Sequence, residues 1–397
     1  MLSKPEMLIK NKNNLLSLYI HWPYCESKCP YCDFNSHLNE NVETEQWIKS
    51  YTNQLYEMKE ELLRHNVNFD KLNAIFFGGG TPSLMPLKII DRVLKISLNL
   101  FGFANDIEIS LEANPSSYEK EKFHDLEKIG INRLSIGVQS LNDVNLKFLG
   151  RLHNSLDAQI TVEYALKKFN NVSVDLIYAF HGQKLTDWTN ELSIFLKNND
   201  LQHISLYQLT IEEGTKFFKN HKKGLLNTID NEYAADFYQI SNEVLKEHKF
   251  INYEISNHAK RGFKCKHNLN YWKSENWMGI GPGAYGRLWS SKSNINRIEY
   301  QNYKNPKTWL SKNISQSSFE KTNCLDSHIS DADTLIMGLR LNEGIETFRL
   351  NDKSIIKSDA CKKLVEEKMI TLKDGVLKVN ENYMIKLNSI IDFLINP

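Results

Sequence analysis

The sequence predicts an α/β protein: a (β/α) barrel, complete or partial in the TIM-like sense, followed by a small winged-helix-like domain. Three observations carry that reading. Six short runs rich in β-branched and aromatic residues alternate with amphipathic stretches between residues 16 and 209. The residues best suited to chemistry fall at or just beyond the C-terminal ends of those runs. After residue 330 the pattern changes to helix, helix and a short strand pair.

The strand candidates are LSLYIH (16–21), LNAIFF (72–77), DIEISLE (106–112), RLSIGV (133–138), VSVDLIY (172–178) and HISLYQL (203–209). Between the first two, TEQWIKSYTNQLYEMKEELLRH (44–65) repeats Trp47, Tyr51, Leu55 and Met58 at helical spacing. EKEKFHDLEKIG (119–130) ends in Gly130, a suitable helix C-cap. Six β–α repeats imply parallel strands joined by right-handed crossovers, and an open doubly wound sheet satisfies this as well as a barrel. A barrel is favoured because the cysteines, GGGTP, EANP, Gln139 and Asp175 would converge at one mouth. Residues 290–330 are polar, rich in Ser and Asn, and read as a connection. Beyond Asp331, ADTLIMGLRL, SDACKKLVEEKMITLKDGVLKV and NYMIKLNSIIDFLI suggest helices and a strand pair turning at Asp374-Gly375. The expected division is a barrel over 1–290, a connecting segment over 291–330 and the winged-helix-like domain over 331–397. That last domain shows no basic face, so it reads as a packing or lid domain rather than a nucleic-acid reader.

Composition narrows the function class. The 397 residues carry 49 basic and 48 acidic side chains, a net charge of +1, so no long-range field points to a polyanion. No stretch approaches the ~20 apolar residues of a membrane span, and MLSKPEMLIKNKNN lacks the apolar core of a secretory signal. A cytosolic protein with reduced thiols is expected. Six cysteines in so long a chain are no disulfide framework.

Cys25, Cys29 and Cys32 form CxxxCxxC on a loop after the first strand. Zinc would ask for a fourth protein ligand, and only the distant Cys265 or a loosely spaced His37 offers one. An iron–sulfur cluster accepts thiolates, and three of them leave one iron of a cubane open. Gly78-Gly79-Gly80-Thr81-Pro82 follows the second strand; glycines there admit a ligand to the backbone and free N–H groups for its polar atoms. The run lacks GK[ST] and is no phosphate loop.

Together the two motifs resemble the radical S-adenosylmethionine (SAM) superfamily, and the resemblance extends over the whole chain. YIHWPYCESKCPYCDF, FFGGGTPSL, LEANP, IGVQS, GRLHN and DLIY look like its coproporphyrinogen dehydrogenase-like branch. That resemblance implies a radical SAM barrel in which Cys25, Cys29 and Cys32 hold a 4Fe–4S cluster, with Tyr19, Gly79 and Glu112 on the cluster-bound SAM. It also implies a second SAM site at Tyr31, Gly80, Thr81, Gln139, Arg151 and Asp175. A sulfonium is cationic, so Glu112 and Asp175 would complement it, and the faces of Tyr19 and Tyr31 would add cation–π attraction. His21 is equally readable as a satisfied core histidine.

Two groups share this branch: oxygen-independent coproporphyrinogen III dehydrogenases and HemW-type haem chaperones. The dehydrogenase pattern has a further cysteine where this chain has Phe34, and a longer arm before the cluster motif. KCKHNLNYW (264–272) matches the chaperones' HNxxYW motif, which implies haem ligation by His267, with Cys265 as an alternative, and flat surfaces at Tyr271 and Trp272. Departures from the pattern are Ala179, Phe180 and His181, where Gly-Leu-Pro is usual, and Tyr285, where a histidine is common.

The leading expectation is therefore a haem chaperone that binds a 4Fe–4S cluster, SAM and haem, and passes haem to acceptor proteins such as respiratory enzymes. It would be cytoplasmic, with peripheral contact at the inner face of a membrane, would bind no nucleic acid, and leaves homodimerisation open. No coproporphyrinogen dehydrogenase activity is expected of it. The dehydrogenase itself and a zinc-stabilised binding protein remain the alternatives.

Overall fold

The computed structural model describes residues 15–38, 42–291 and 297–396. Residues 1–14, read above for a secretory signal, lie outside the described residues. The six expected strands all form: β1 (Leu16–Trp22), β2 (Leu72–Gly79), β3 (Phe103–Ala113), β4 (Arg133–Gln139), β5 (Val172–Tyr178) and β6 (His203–Gln208). They pair in parallel in chain order. The crossovers include α1 (Thr44–Arg64), α2 (Leu87–Phe101), α3 (Ser117–Lys128), α4 (Asp143–Phe148), α5 (Ser155–Lys168) and α6 (Leu185–Asn198). Past β6 come α7 (Lys216–Lys222) and α8 (Asn231–Glu247).

Side-chain alternation explains how one sheet serves two purposes. Leu18, Ile20, Leu111, Leu134, Ile136, Val174 and Leu206 point outward into the core shared with the helices. The opposite face is polar, with Ser110, Glu112, Arg133, Ser135, Asp175, His203 and Ser205 occupying alternate positions. Cross-strand bonds such as Ser135 to Asp175 (3.1 Å) and Ser173 to His203 (2.7 Å) mark that inner face.

The sheet extends beyond the six repeats. β7 (Ile251–Asn252) and β8 (Asn257–Ala259) cover β6 antiparallel. On the other side β9 (Asn276–Ile280) lies parallel to β1 and leads into β10 (Tyr285–Trp289), β11 (Arg297–Asn302) and β12 (Phe319–Leu325). The order is β12-β11-β10-β9-β1-β2-β3-β4-β5-β6-β8-β7. Its two edges do not pair with each other among the described residues, so this is a partial barrel. The expectation of a connecting segment over 291–330 is corrected here: β11, α10 (Pro306–Ser315) and β12 continue the main sheet. Their signal was weak because β11 buries few apolar side chains and β12 is an exposed edge strand.

The C-terminal unit holds α11 (Ser327–Gly338), β13 (Ile345–Glu346), α12 (Asp359–Glu366), β14 (Ile370–Lys373), β15 (Val376–Val379) and α13 (Leu387–Ile395). The β14–β15 hairpin turns at Asp374 and Gly375, both left-handed (φ 51° and 77°), as a tight hairpin requires. Leu335, Leu364, Ile370, Leu377 and Leu394 form a core separate from that of the barrel. Polar contacts join the two. Arg349 donates to the Lys273 carbonyl (2.7 Å) and the Glu275 carboxylate (2.8 Å), and Asp333 pairs with Arg287 (2.5 Å). Glu343 reaches Lys273 (2.8 Å) and Lys264 (3.3 Å), and the Arg340 guanidinium lies 4.6 Å from the Trp272 ring centroid. These contacts surround α9 (Lys266–Trp272), which carries the HNLNYW motif. No helix among the described residues is long and apolar enough to cross a membrane.

Candidate functional site

The loop leaving β1 carries the three cysteines, each half-buried and free. Both of its ends are fastened. At its start Gly80 N–H donates to the Trp22 carbonyl (2.7 Å) and Thr81 N–H to that of Tyr24 (2.9 Å), which ties GGGTP alongside. A Cβ at Gly80 would stand 2.7 Å from the Tyr24 carbonyl oxygen, so this approach requires glycine. Gly79 is left-handed (φ 115°), and a Cβ there would strike the His21 ring at 2.6 Å. At the loop's far end Asn35 Nδ2 donates to the carbonyls of Pro282 (3.0 Å) and Lys304 (2.9 Å). His21 is a satisfied core histidine: Nδ1 accepts from Tyr19 OH (3.1 Å) and Nε2 donates to the Asn35 carbonyl (2.9 Å). Burial holds its pKa down at about 4.

A cavity of about 630 Å³ opens above this loop at the C-terminal ends of β1 to β6. Glu112 and Asp175 stand on its walls. Glu112 accepts from the Gly79 N–H (3.2 Å), yet burial, aided by the neighbouring Asp175, pushes its carboxyl up to about 8. Burial likewise raises Asp175, against the hydrogen bonds it accepts from Ser205 and Ser135. Neither acid forms an ion pair among the described residues, although both feel the buried Arg133 guanidinium, and a cationic guest would draw both towards the charged form. Burial also raises the thiols of Cys25 and Cys32. Arg151 donates to Cys29 Sγ (3.6 Å) and to the Gly137 carbonyl (3.0 Å).

Every residue singled out in the sequence for a cluster or SAM lines this cavity, except Tyr19. Tyr19 lies behind the wall, its ring 6.4 Å from Phe76 and 6.1 Å from His267. His267 is not brought to the cavity. It is 2% exposed on α9, packed on Phe76 at 5.0 Å and bonded through Nε2 to Tyr271 OH (2.7 Å). Burial lowers its pKa to about 3, and Nδ1 has no partner. Cys265 is also buried, and its thiol donates to Glu108 (3.3 Å) while burial raises it to about 12. Asn114, Ser135 and Tyr207 also line the cavity and were not singled out. Their signal was the alternation of polar residues, which places Ser135 and Tyr207 on the inner face. Ala179, where glycine is usual, adopts the left-handed φ of 64°, a conformation costing an alanine roughly 1 kcal/mol. Tyr285 starts β10 and is exposed.

The sequence profile of the radical SAM superfamily matches residues 19–192. The zebrafish (Danio rerio) protein named "Radical S-adenosyl methionine domain-containing protein 1, mitochondrial" is 37% identical over 83% of this chain and 73% of its own length. The chain belongs to the radical SAM superfamily. Within that superfamily it is also similar to "Heme chaperone HemW" of Haemophilus influenzae, at 39% identity over 74% of this chain and 76% of that protein. A solved structure of coproporphyrinogen III oxidase (HemN) from Escherichia coli superposes with a TM-score of 0.78, covering 99% of this chain and 92% of the other. At 17% identity that likeness shows the fold.

Membership implies a 4Fe–4S cluster and SAM, and the residues present fit both. Three thiols on one fastened loop match a cluster left with one open iron. For SAM, the two acids without ion-pair partners suit a sulfonium, and the volume falls within the roughly 300–1,000 Å³ of small-molecule pockets.

Proposed function

We propose that this chain is a HemW-like haem chaperone: it binds a 4Fe–4S cluster, SAM and haem, and hands haem to acceptor proteins. Cys25, Cys29 and Cys32 hold the cluster, which supplies an open iron and one-electron chemistry when bound. Gly79, Glu112 and Tyr19 would contact the cluster-bound SAM. Tyr31, Gly80, Thr81, Gln139, Arg151 and Asp175 line a second SAM position. Acceptors are haem proteins such as respiratory enzymes, met from the cytoplasm at the inner face of a membrane.

The observation that carries the haem assignment is the HNLNYW run, residues 267–272, in a chain similar to proteins named as haem chaperones. His267 would offer the iron an imidazole nitrogen, and its Nδ1 has no hydrogen-bond partner among the described residues. Haem reaches this imidazole only when α9 lifts from Tyr19 and Phe76, the strand residues on which His267 packs. Phe34 favours the chaperone over the dehydrogenase reading, because a phenyl ring, 58% exposed, stands on the cavity wall where that pattern has a cysteine.

Haem titration of anaerobically reconstituted protein tests the reading. His267→Ala is expected to weaken haem binding or shift its absorption band while iron and sulfide content stay intact. Cys265→Ala should do less. Unchanged affinity and spectrum in His267→Ala would remove the haem assignment. SAM-dependent conversion of coproporphyrinogen III at enzyme-like turnover would replace the chaperone with the dehydrogenase.

A further inference from the structure

Arg151 follows Gly150 in the turn after α4, and the turn is built against the cysteine loop. Gly150 is left-handed (φ 68°), and a Cβ there would meet Pro30 Cδ at 2.7 Å, so glycine lets the two loops touch. Arg151 N–H donates to the Leu146 carbonyl (2.9 Å), which fixes the backbone. One guanidinium nitrogen, Nη2, donates to the Gly137 carbonyl (3.0 Å) and to Asn114 Oδ1 (2.5 Å). The other, Nη1, points at Cys29 Sγ (3.6 Å). Among the described residues this is the only cationic side chain that donates to any of the three sulfurs.

We propose that Arg151 is a positioning residue of the cluster, and that its hydrogen bond to Cys29 sets the cluster's reduction potential. The inference rests on the cluster assignment to Cys25, Cys29 and Cys32. Hydrogen bonds to the sulfurs, net charge and solvent exposure govern the potential of such clusters. Reduction adds one negative charge to the cluster. A fixed guanidinium beside one thiolate stabilises the reduced form more than the oxidised one, so it moves the potential upward. The effect is large for three reasons. The bond is charge-assisted, its surroundings are half-buried and of low dielectric, and the donor is held by two other acceptors. Lysine would keep the charge and lose the fork that bonds Gly137, Asn114 and Cys29 together.

A brace for the loop would have the same contacts, and the potential separates the two roles. Loss of a brace lowers the fraction of molecules holding a cluster. It leaves unchanged the potential of those that keep one.

The test is a potentiometric titration of reconstituted wild type, Arg151→Gln, Arg151→Lys and Asn114→Ala, followed by the EPR signal of the reduced cluster. Iron and sulfide are measured on each sample. Arg151→Gln is expected to shift the midpoint to more negative potential, Arg151→Lys to shift it less, and Asn114→Ala, which loosens the guanidinium, to shift it least in the same direction. A wild-type midpoint in cluster-bearing Arg151→Gln overturns the proposal. If that variant retains no cluster, wild-type midpoints in both Arg151→Lys and Asn114→Ala overturn it instead. A wild type that assembles no cluster would defeat the cluster assignment and with it the role of Arg151, whereas a cluster-bearing Arg151→Gln with a wild-type midpoint defeats that role alone.

Discussion

The mouth of the barrel and helix α9 each carry a motif suited to a cofactor, and the fold presents them in opposite ways. At the mouth, β3 and β5 hold Glu112 and Asp175, and the turn after α4 holds Arg151, around an open cavity, and the cysteine loop is fastened at both ends. At α9, His267 is buried on Phe76 and Tyr271, and the C-terminal unit meets the end of the helix at Trp272 and Lys273. That unit has its own core and is joined to the barrel by Arg349, Arg340, Glu343 and Asp333. Separated charges regain hydration, so an ion-paired joint opens at less cost than a fused apolar core. One region is a standing receptacle; the other is a covered one.

The strongest way to break this contrast is at the cysteines. Cys29→Ala should lose the cluster altogether, with iron and sulfide at background after reconstitution, whereas His267→Ala keeps both. Full cluster content in Cys29→Ala would refute the ligand set.

Next comes the cover. Arg349→Ala removes one charged partner of the buried Glu275 carboxylate and the bond to the Lys273 carbonyl, a loss of about 1.5–3 kcal/mol from the docking of the C-terminal unit. Amide hydrogen exchange should quicken across residues 264–275 and stay unchanged in the cysteine loop. Equal quickening in both would mean that the two regions unfold as one.

A smaller effect sharpens the picture of the mouth. Glu112 has a folded pKa of about 8 against an ordinary 4.5, so the folded protein holds this proton more tightly than the unfolded chain. Its contribution to stability is complete below about pH 4.5 and is lost as pH rises through about 8. Glu112→Gln should flatten that part of the melting-temperature profile of the cofactor-free protein, and an unaltered profile would show that the carboxyl is solvated. The smallest effect is that of salt. Raising ionic strength from ~0.1 to ~1 M shortens the screening length from ~10 to ~3 Å. The part-exposed pairs of Glu343 with Lys264 and Lys273 should then weaken by about 0–1 kcal/mol. Exchange at α9 should rise slightly, with none at the mouth.

Much of the mouth was legible because its residues lie in short, strongly patterned runs. LSLYIH, VSVDLIY and their companions alternate visibly, and CxxxCxxC and GGGTP are local motifs whose spacing survives folding. What escaped depends on distance and depth. RIEYQN and FEKTNCL became strands only by joining a sheet begun far earlier in the chain, and their own composition is polar. The burial of His267 follows from its packing on Tyr19 and Phe76, strand residues far earlier in the chain. No pattern within KCKHNLNYW reports that contact. Tyr19 was matched to SAM by its place in a motif, and its hydroxyl is bonded to a histidine two residues away.

The pairing of β1 with β9 has a consequence for the order of assembly. Leu16 faces Asn276 and Ile20 faces Ile280, so one edge of the first strand waits for residues made late in synthesis. The cysteine loop waits longer, since Asn35 is anchored to Pro282 and Lys304, 247 and 269 positions downstream. A chain emerging from the ribosome therefore exposes its three thiols on an untethered loop until nearly the whole barrel has been synthesised. Cluster delivery belongs after Lys304 has emerged, and a chain truncated before Pro282 should present the cysteines to oxidation rather than to iron.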